Sequence, residues 1–248
     1  MSRSTPPSCY ILGNRVDSLT LAGAVARVKE FVRAGTPHHV VTLNAEIAYR
    51  AYGEPQLQAV INRAHLVTAD GAGILWAARR LGHPLPERVT GIDLLQALAA
   101  AGAGEGWRFY LYGAAPGVAA QAAAHLQREH PGLVVAGTSH GYLGPDAMPL
   151  LLAEIRAAQP HILLVGLGAP KQEYWIASYL EELQVPVAMG VGGSFDVLAG
   201  VARRAPAWVQ RLNLEWLYRV VKEPKRVKRI MALPKFMIAV WQEARRQG

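Results

Sequence analysis

Cysteine is almost absent: Cys9 is the only one among 248 residues. An internal disulfide is therefore impossible, and a cysteine-based metal site is excluded. A reducing, cytoplasmic setting suits such a chain. Long apolar runs are missing too. The opening MSRSTPPSCYILG holds no stretch long enough for a secretory signal. No run reaches the roughly 18 apolar residues of a membrane helix. The closest, Ile230 to Trp241, is broken by Pro234 and Lys235. The chain can thus lie on a membrane but is not expected to cross one. The eight histidines form neither H-E-x-x-H nor any other close ligand pattern. A P-loop, G-x-x-x-x-G-K-S/T, matches nowhere.

What is present suffices for a buried core. The chain is 51% hydrophobic and 18% charged, the make-up of one α/β domain, with or without an appendage. Its formal net charge of +8 is unevenly placed. From Arg203 onward 12 Lys/Arg stand against three acids, a net of +9, whereas residues 1–202 carry 14 against 15. This split predicts an α/β core over residues 1–202 and a basic helical appendage over 203–248.

Short apolar strands alternate with helix-length segments, which predicts a Rossmann-like parallel sheet of repeated βα units. Strands are expected at Tyr10–Leu12, His39–Leu43, His65–Ala69, Arg108–Tyr112, Leu133–Gly137, His161–Val165 and Pro186–Gly190. Helices are expected from Thr20 (an N-cap), from Ala45 and from Ala72. Further helices are expected over Ile92–Ala101, Val118–Arg128, Ala147–Ala158 and Gln172–Leu183. The proline-bearing GHPLPERV (82–89) reads as a loop, and Gly102–Gly106 as a linker, a boundary between two lobes. In an open parallel sheet, ligands gather at the carboxyl ends of the strands. Those ends are Thr42/Asn44, Asp70, Gly113–Gly117, Gly166–Gln172 and Gly190–Asp196.

Each turn has a chemical and a plain structural reading. Asp70 follows the strand HLVTA and precedes Gly71, so it is either a catalytic base or the N-cap of the next helix. Thr42 and Asn44 point the same way if the strand continues through both, as sugar or base contacts or as a core threonine and a cap. GLGAPKQE (166–173) exposes backbone N–H groups at a helix start, suited to phosphate. There Lys171 either neutralises a diphosphate or is simply solvated. Both this turn and GAAPG (113–117) lack the third glycine of G-x-G-x-x-G, which weakens dinucleotide binding. In GVGGSFD (190–196), Phe195 and Asp196 either hold a base and ribose or form a tight turn over a core phenylalanine. The five aspartates, Asp17, Asp70, Asp93, Asp146 and Asp196, include no Asp-x-Asp. The carboxylate pair with which many sugar transferases hold Mg²⁺ or Mn²⁺ is therefore missing. A leaving nucleoside diphosphate would need side-chain cations and helix N-termini instead, with Arg88, Lys171 and the basic tail as candidates.

Over nearly its whole length the chain resembles the WecG/TagA/CpsF glycosyltransferases. The motifs are VVTLNAE (40–46), ADGAGILWAARRLG (69–82), ERVTGIDLL (87–95), FYLYGAAPG (109–117), ILLVGLGAPKQEYWI (162–176), GVGGSFDVLAG (190–200) and RAPAWVQRLNLEWLYRVVKEPKR (204–226). The resemblance implies inverting transfer from a UDP-sugar to a lipid-diphosphate-linked sugar, with no metal and no cofactor. It implies Asp70 as general base, and Thr42, Asn44, Arg88 and Gln172 as residues positioning donor and acceptor. Phe195 and Asp196 would belong to the nucleotide pocket. It associates the appendage with an anionic membrane surface, the inner face of the cell membrane, and brings Arg219, Arg226 and Arg229 to the active site. The basic and aromatic residues interleaved around Trp216 and Tyr218 suit such an interface; a solvated basic face is the alternative.

The donor sugar, the acceptor glycan and the oligomeric state, homo-oligomer included, are open. Two other classes compete. A Rossmann-like oxidoreductase or methyltransferase would need an intact glycine fingerprint and an acid after the next strand. A nucleic-acid-binding module would use the basic tail, yet no nucleic-acid motif accompanies it, so no nucleic-acid partner is expected.

Overall fold

The computed structural model describes residues 6–203, 205, 206, 209, 218 and 232–247. Its first feature was not foreseen. The opening strand does not join the main sheet. Instead β1 (Ser8–Ile11) and β2 (Asn14–Asp17) pair antiparallel as a separate hairpin. Leu12 and Gly13 both take positive φ, 51° and 75°, as a two-residue hairpin turn of right-handed twist requires. Asn14, fully buried, pins this turn to the core through Nδ2, which donates to Ile11 O, Leu12 O and Ala48 O.

The six remaining strands match the expected βα units. They are β3 (His38–Leu43), β4 (Leu66–Ala69), β5 (Arg108–Gly113), β6 (Val134–Ser139), β7 (Ile162–Gly166) and β8 (Val187–Gly190). All neighbours run parallel, in the order β4-β3-β8-β7-β5-β6. Every residue of β7 (ILLVG) and β8 (VAMG) is buried, as expected where helices cover both faces of a parallel sheet.

Strand residues alternate between the faces. Val40, Leu66, Phe109, Leu111, Ile162, Leu164, Val187 and Met189 pack against α1 (Leu21–Ala34), α5 (Gly91–Glu105), α6 (Val118–Glu129) and α9 (Ser194–Leu198). On the other face Val41, Leu43, Val67 and Ala69 meet α2 (Ala45–Tyr52), α3 (Pro55–Arg63) and α4 (Ala72–Arg80). Beside them Tyr110, Tyr112, Leu163, Val165 and Ala188 meet α7 (Met148–Ala158) and α8 (Lys171–Leu183). Sequence-local signals set several helix ends. Thr20 Oγ1 accepts from Gly23 N at 3.1 Å, and Gly35, in the left-handed region, closes α1. Gly102–Glu105, read above as linker, are instead the last turn of α5, which Gly106 caps.

The described end of the tail is a helix, α10 (Ala232–Gln247), with Pro234 tolerated in its first turn. It is no detached basic arm. Phe236 and Val240 are fully buried in the cluster formed by α2, α4 and the hairpin, and Glu243 Oε2 accepts from Leu12 N at 3.0 Å. Its charged residues are Lys235, Arg245 and Arg246 against Glu243. The tail residues Trp216, Arg219, Arg226 and Arg229 lie outside the described residues.

One buried group makes the fold acid-sensitive. His39 in β3 is buried and its Nε2 has no hydrogen-bond partner in the structure. Burial, helped by nearby His65, holds the imidazole down to about 3. An unfolded histidine titrates near 6.5, so below that pH the unfolded chain binds a proton that the folded chain refuses. The stabilising contribution is complete above about 6.5 and falls by about 1.4 kcal/mol per pH unit on acidification towards 3. Urea midpoints at pH 7.5 and 5.0 are expected to reveal a loss of about 2 kcal/mol from this group. His39→Leu should flatten the dependence by that amount; an unchanged slope would show that His39 is not its source.

Candidate active site

The strand ends named in the sequence converge in the fold. Adjacent strands β5 and β7 send their connections in opposite directions, β5 to β6 and β7 to β8, which opens a crevice at their carboxyl ends. The GAAPG and GLGAP turns form its walls. They touch: Ala114 N donates to Gly166 O at 2.9 Å, and a Cβ on Gly113 would lie 2.5 Å from the Gly166 backbone.

The other polar strand ends join through short contacts. Asp70 leaves β4 with its N–H bonded to Leu43 O at the end of β3, at 2.8 Å. Its carboxylate does not cap α4, whose N-cap is Gly71 with no side-chain cap bond. Asp70 Oδ2 instead accepts from Gly91 N at 3.2 Å, at the start of α5. That helix has its own cap, Thr90, paired reciprocally with Asp93. The carboxylate of Asp70, just after β4, thus bonds the first N–H of α5.

Gly91 in turn lies against Thr42; a Cβ there would sit 3.2 Å from Thr42 Oγ1. Thr42 is buried, and its hydroxyl donates to Gly190 O at 3.4 Å. Gln172 packs across Gly190, where a Cβ would fall 2.5 Å from Nε2. Its Oε1 accepts from Gly192 N at 2.9 Å, and its Nε2 donates to Glu173 Oε1 at 2.9 Å. Asp70, Thr42 and Gln172 therefore share one wall, bridged by Gly91 and Gly190.

Residues 9–248 match the sequence model of the glycosyl transferase WecG/TagA/CpsF family. The chain belongs to that family. This glycosyltransferase is 33% identical over 246 residues to an N-acetylglucosaminyldiphosphoundecaprenol N-acetyl-beta-D-mannosaminyltransferase of Staphylococcus aureus, covering 98% of this chain and 96% of that protein. Proteins of the same name from Bacillus spizizenii and Bacillus subtilis are 36% and 34% identical, over 83% and 82% of this chain and 79% of each.

The remaining residues of the glycosyltransferase's strand ends take varied positions. Asn44 does cap α2, its Oδ1 accepting from Ile47 N at 3.0 Å. Half-buried Arg88 is placed beside the Asp70 strand end by its neighbour: Val89 N donates to Ala69 O, and Thr68 Oγ1 donates to Val89 O. Lys171 is the exposed first residue of α8. Phe195 is fully buried, packed where a Cβ on Gly166 would meet its ring at 2.7 Å. Its ring supports the crevice wall from the core and does not line it. Asp196 is half-buried in the first turn of α9. Among the described residues no group of three His, Cys, Asp or Glu is arranged to hold a metal ion. Likewise, no described helix is long and apolar enough to cross a membrane.

The sequence reading gave no role to the packing at Gly91 and Gly190 or to the side chain of Glu173. Both glycines stand inside motifs quoted above, but a single sequence does not show that their missing side chains admit Thr42 and Gln172. Glu173 ends the GLGAPKQE turn quoted above, and nothing in the sequence marks it as buried.

Proposed function

We propose that this glycosyltransferase moves N-acetylmannosamine from a UDP-sugar to the GlcNAc of a polyprenyl-diphosphate-linked acceptor, in cell-surface polysaccharide or teichoic acid synthesis. The relatives' shared name supports this acceptor and this sugar. The observation that carries the reading is the Asp70 carboxylate, fixed at a strand end on the same wall as Thr42 and Gln172. In the proposed step the acceptor hydroxyl oxygen attacks the anomeric carbon from the face opposite UDP. Asp70 takes the hydroxyl proton, the anomeric C–O bond breaks, and UDP leaves with the bonding pair. An α-linked donor then yields a β product, in keeping with the relatives' name.

Arg88 and Lys171 offset the charge of the leaving diphosphate in this scheme, together with Arg219, Arg226 and Arg229 from the tail. Thr42, Asn44 and Gln172 orient the sugars, while Phe195 stiffens the turn beside Asp196. Metal independence belongs to the proposal and rests on the missing Asp-x-Asp. A panel of UDP-sugars with a short-chain lipid-diphosphate GlcNAc, run in EDTA with the product weighed by mass spectrometry, tests it. UDP-N-acetylmannosamine is expected to give the disaccharide. No product from any UDP-sugar would overturn the reading, and rescue by Mg²⁺ or Mn²⁺ would overturn its metal-free form.

The tail is proposed to hold the enzyme on the inner face of the cell membrane, beside its acceptor. Supporting this, α10 exposes Met237, Ile238 and Trp241 (42%, 59% and 45%). The guanidinium groups of Arg80 and Arg245 lie 5.0 and 4.5 Å from the Trp241 ring centroid. Each cation near an anionic surface adds about 1 kcal/mol, and an aromatic side chain at headgroup level adds anchoring. Deleting the tail is a poor test, because Phe236 and Val240 belong to the core. In the full chain, Ile238→Glu with Trp241→Glu is expected to lower binding to anionic vesicles at least about tenfold. Unchanged sedimentation with such vesicles would remove α10 from the membrane contact.

A further inference from the structure

We infer that Glu173 is a positioning residue for the sugar-transfer site: it acts through Gln172, setting the orientation of that amide and with it the Gly190–Gly192 turn. The inference rests on the function proposed above and assigns a role to a residue outside that scheme.

Glu173 is 1% exposed, in the first turn of α8. A glutamate almost never takes such a position unpaired, yet no cation stands beside it among its recorded contacts. Gln172 Nε2 donates to its Oε1 at 2.9 Å, and Oε2 has no hydrogen-bond partner among the described residues. Burial pushes the carboxyl above its usual range. Oε1 is the oxygen that accepts from Gln172.

That single bond decides which way the Gln172 amide faces. The two ends of a glutamine amide are nearly the same shape but opposite in hydrogen bonding. With Nε2 turned to Glu173, Oε1 must face Gly192 N, which it meets at 2.9 Å. A flipped amide would set Nε2 against the Gly192 N–H, donor against donor. Gly192 sits in the left-handed region at φ 53°, and Gln172 packs directly on Gly190, where a Cβ would lie 2.5 Å from Nε2. The orientation therefore passes from Glu173 to Gln172 to the turn whose Gly190 carbonyl bonds Thr42.

A double-mutant cycle on the full chain separates this role from simple core packing. Glu173→Ala and Gln172→Ala are each expected to lower kcat/KM about tenfold or more, the scale of losing one buried hydrogen bond. The double variant should be no worse than Gln172→Ala alone. Glu173→Gln keeps an acceptor oxygen and should recover most of the loss. Hydrogen exchange at the Gly192 amide gives a readout independent of turnover. It should quicken equally in both alanine variants and stay slow in Glu173→Gln. Additive losses in the cycle, or an unchanged Gly192 amide in Glu173→Ala, would overturn the inference. Wild-type protein that transfers no sugar would overturn the function instead, and the Gly192 exchange would still decide the role of Glu173.

Discussion

An Asp70→Asn enzyme is expected to turn over at least about 100-fold more slowly than the native chain, while binding UDP about as tightly. Positioned proton transfer typically contributes about 10²–10⁴-fold, and asparagine cannot accept the acceptor's proton. The substitution keeps the side chain's shape. Asp70 Oδ2 accepts a hydrogen bond from Gly91 N, which an amide oxygen can also accept. Helix α4 begins at Gly71 without help from the carboxylate, so no cap is lost. A fall in kcat at nearly constant UDP affinity would locate the defect in the chemical step. Near-native turnover would remove Asp70 as the base, and a parallel loss of UDP affinity would make it a binding group.

Gly113→Ala is expected to be the most damaging single-methyl change on the crevice. Gly113 has φ 135°, a conformation that residues with a Cβ rarely adopt and that costs about 1–3 kcal/mol. The new methyl would also stand 2.5 Å from the carbonyl carbon and oxygen of Gly166. Backbone cannot swing aside as a side-chain tip does, so β5 and β7 must separate where their turns meet. Both penalties fall on the crevice between GAAPG and GLGAP, which the proposed function gives to the nucleotide. Thermal unfolding should therefore shift down by several degrees, and UDP affinity should fall at least about tenfold. Gly117→Ala is the control: its φ is also positive, at 83°, but nothing stands within 4 Å of the added methyl. Equal behaviour of the two variants would show that strain, and not the contact with Gly166, sets the effect.

Much of the fold was legible because its causes are local. Apolar runs such as ILLVG and VAMG announce strands covered on both faces, Thr20 and Gly35 mark the ends of α1, and the alternation of strand and helix forces a parallel sheet. The local signal failed where the outcome depends on distant partners. Tyr10–Leu12 has the composition of any first strand, but its pairing with Asn14–Asp17 is settled by the turn at Leu12–Gly13 and by Asn14 reaching Ala48. Gly102–Glu105 looks like a linker, yet Gly102 stays helical because it lets the Phe109 ring approach; a Cβ there would lie 2.6 Å from the ring. Phe195 had even claims as base platform and core residue, and only packing against Gly166 decided between them.

The sequence by itself determined the family, the six βα strands and the five polar strand ends, since each follows from residue order and short-range hydrogen bonding. Only the tertiary structure decided how those ends work together. Asp70 turns its carboxylate to Gly91, 21 residues on, from whose N–H it accepts. Glu173 is buried because α8 packs against the sheet, and Gln172 is oriented by the buried oxygen beside it. The tail helix joins the core because Phe236 and Val240 find a groove between α2 and α4. Such contacts depend on the distance between residues far apart in the chain, and that distance is set by the sum of all the packing.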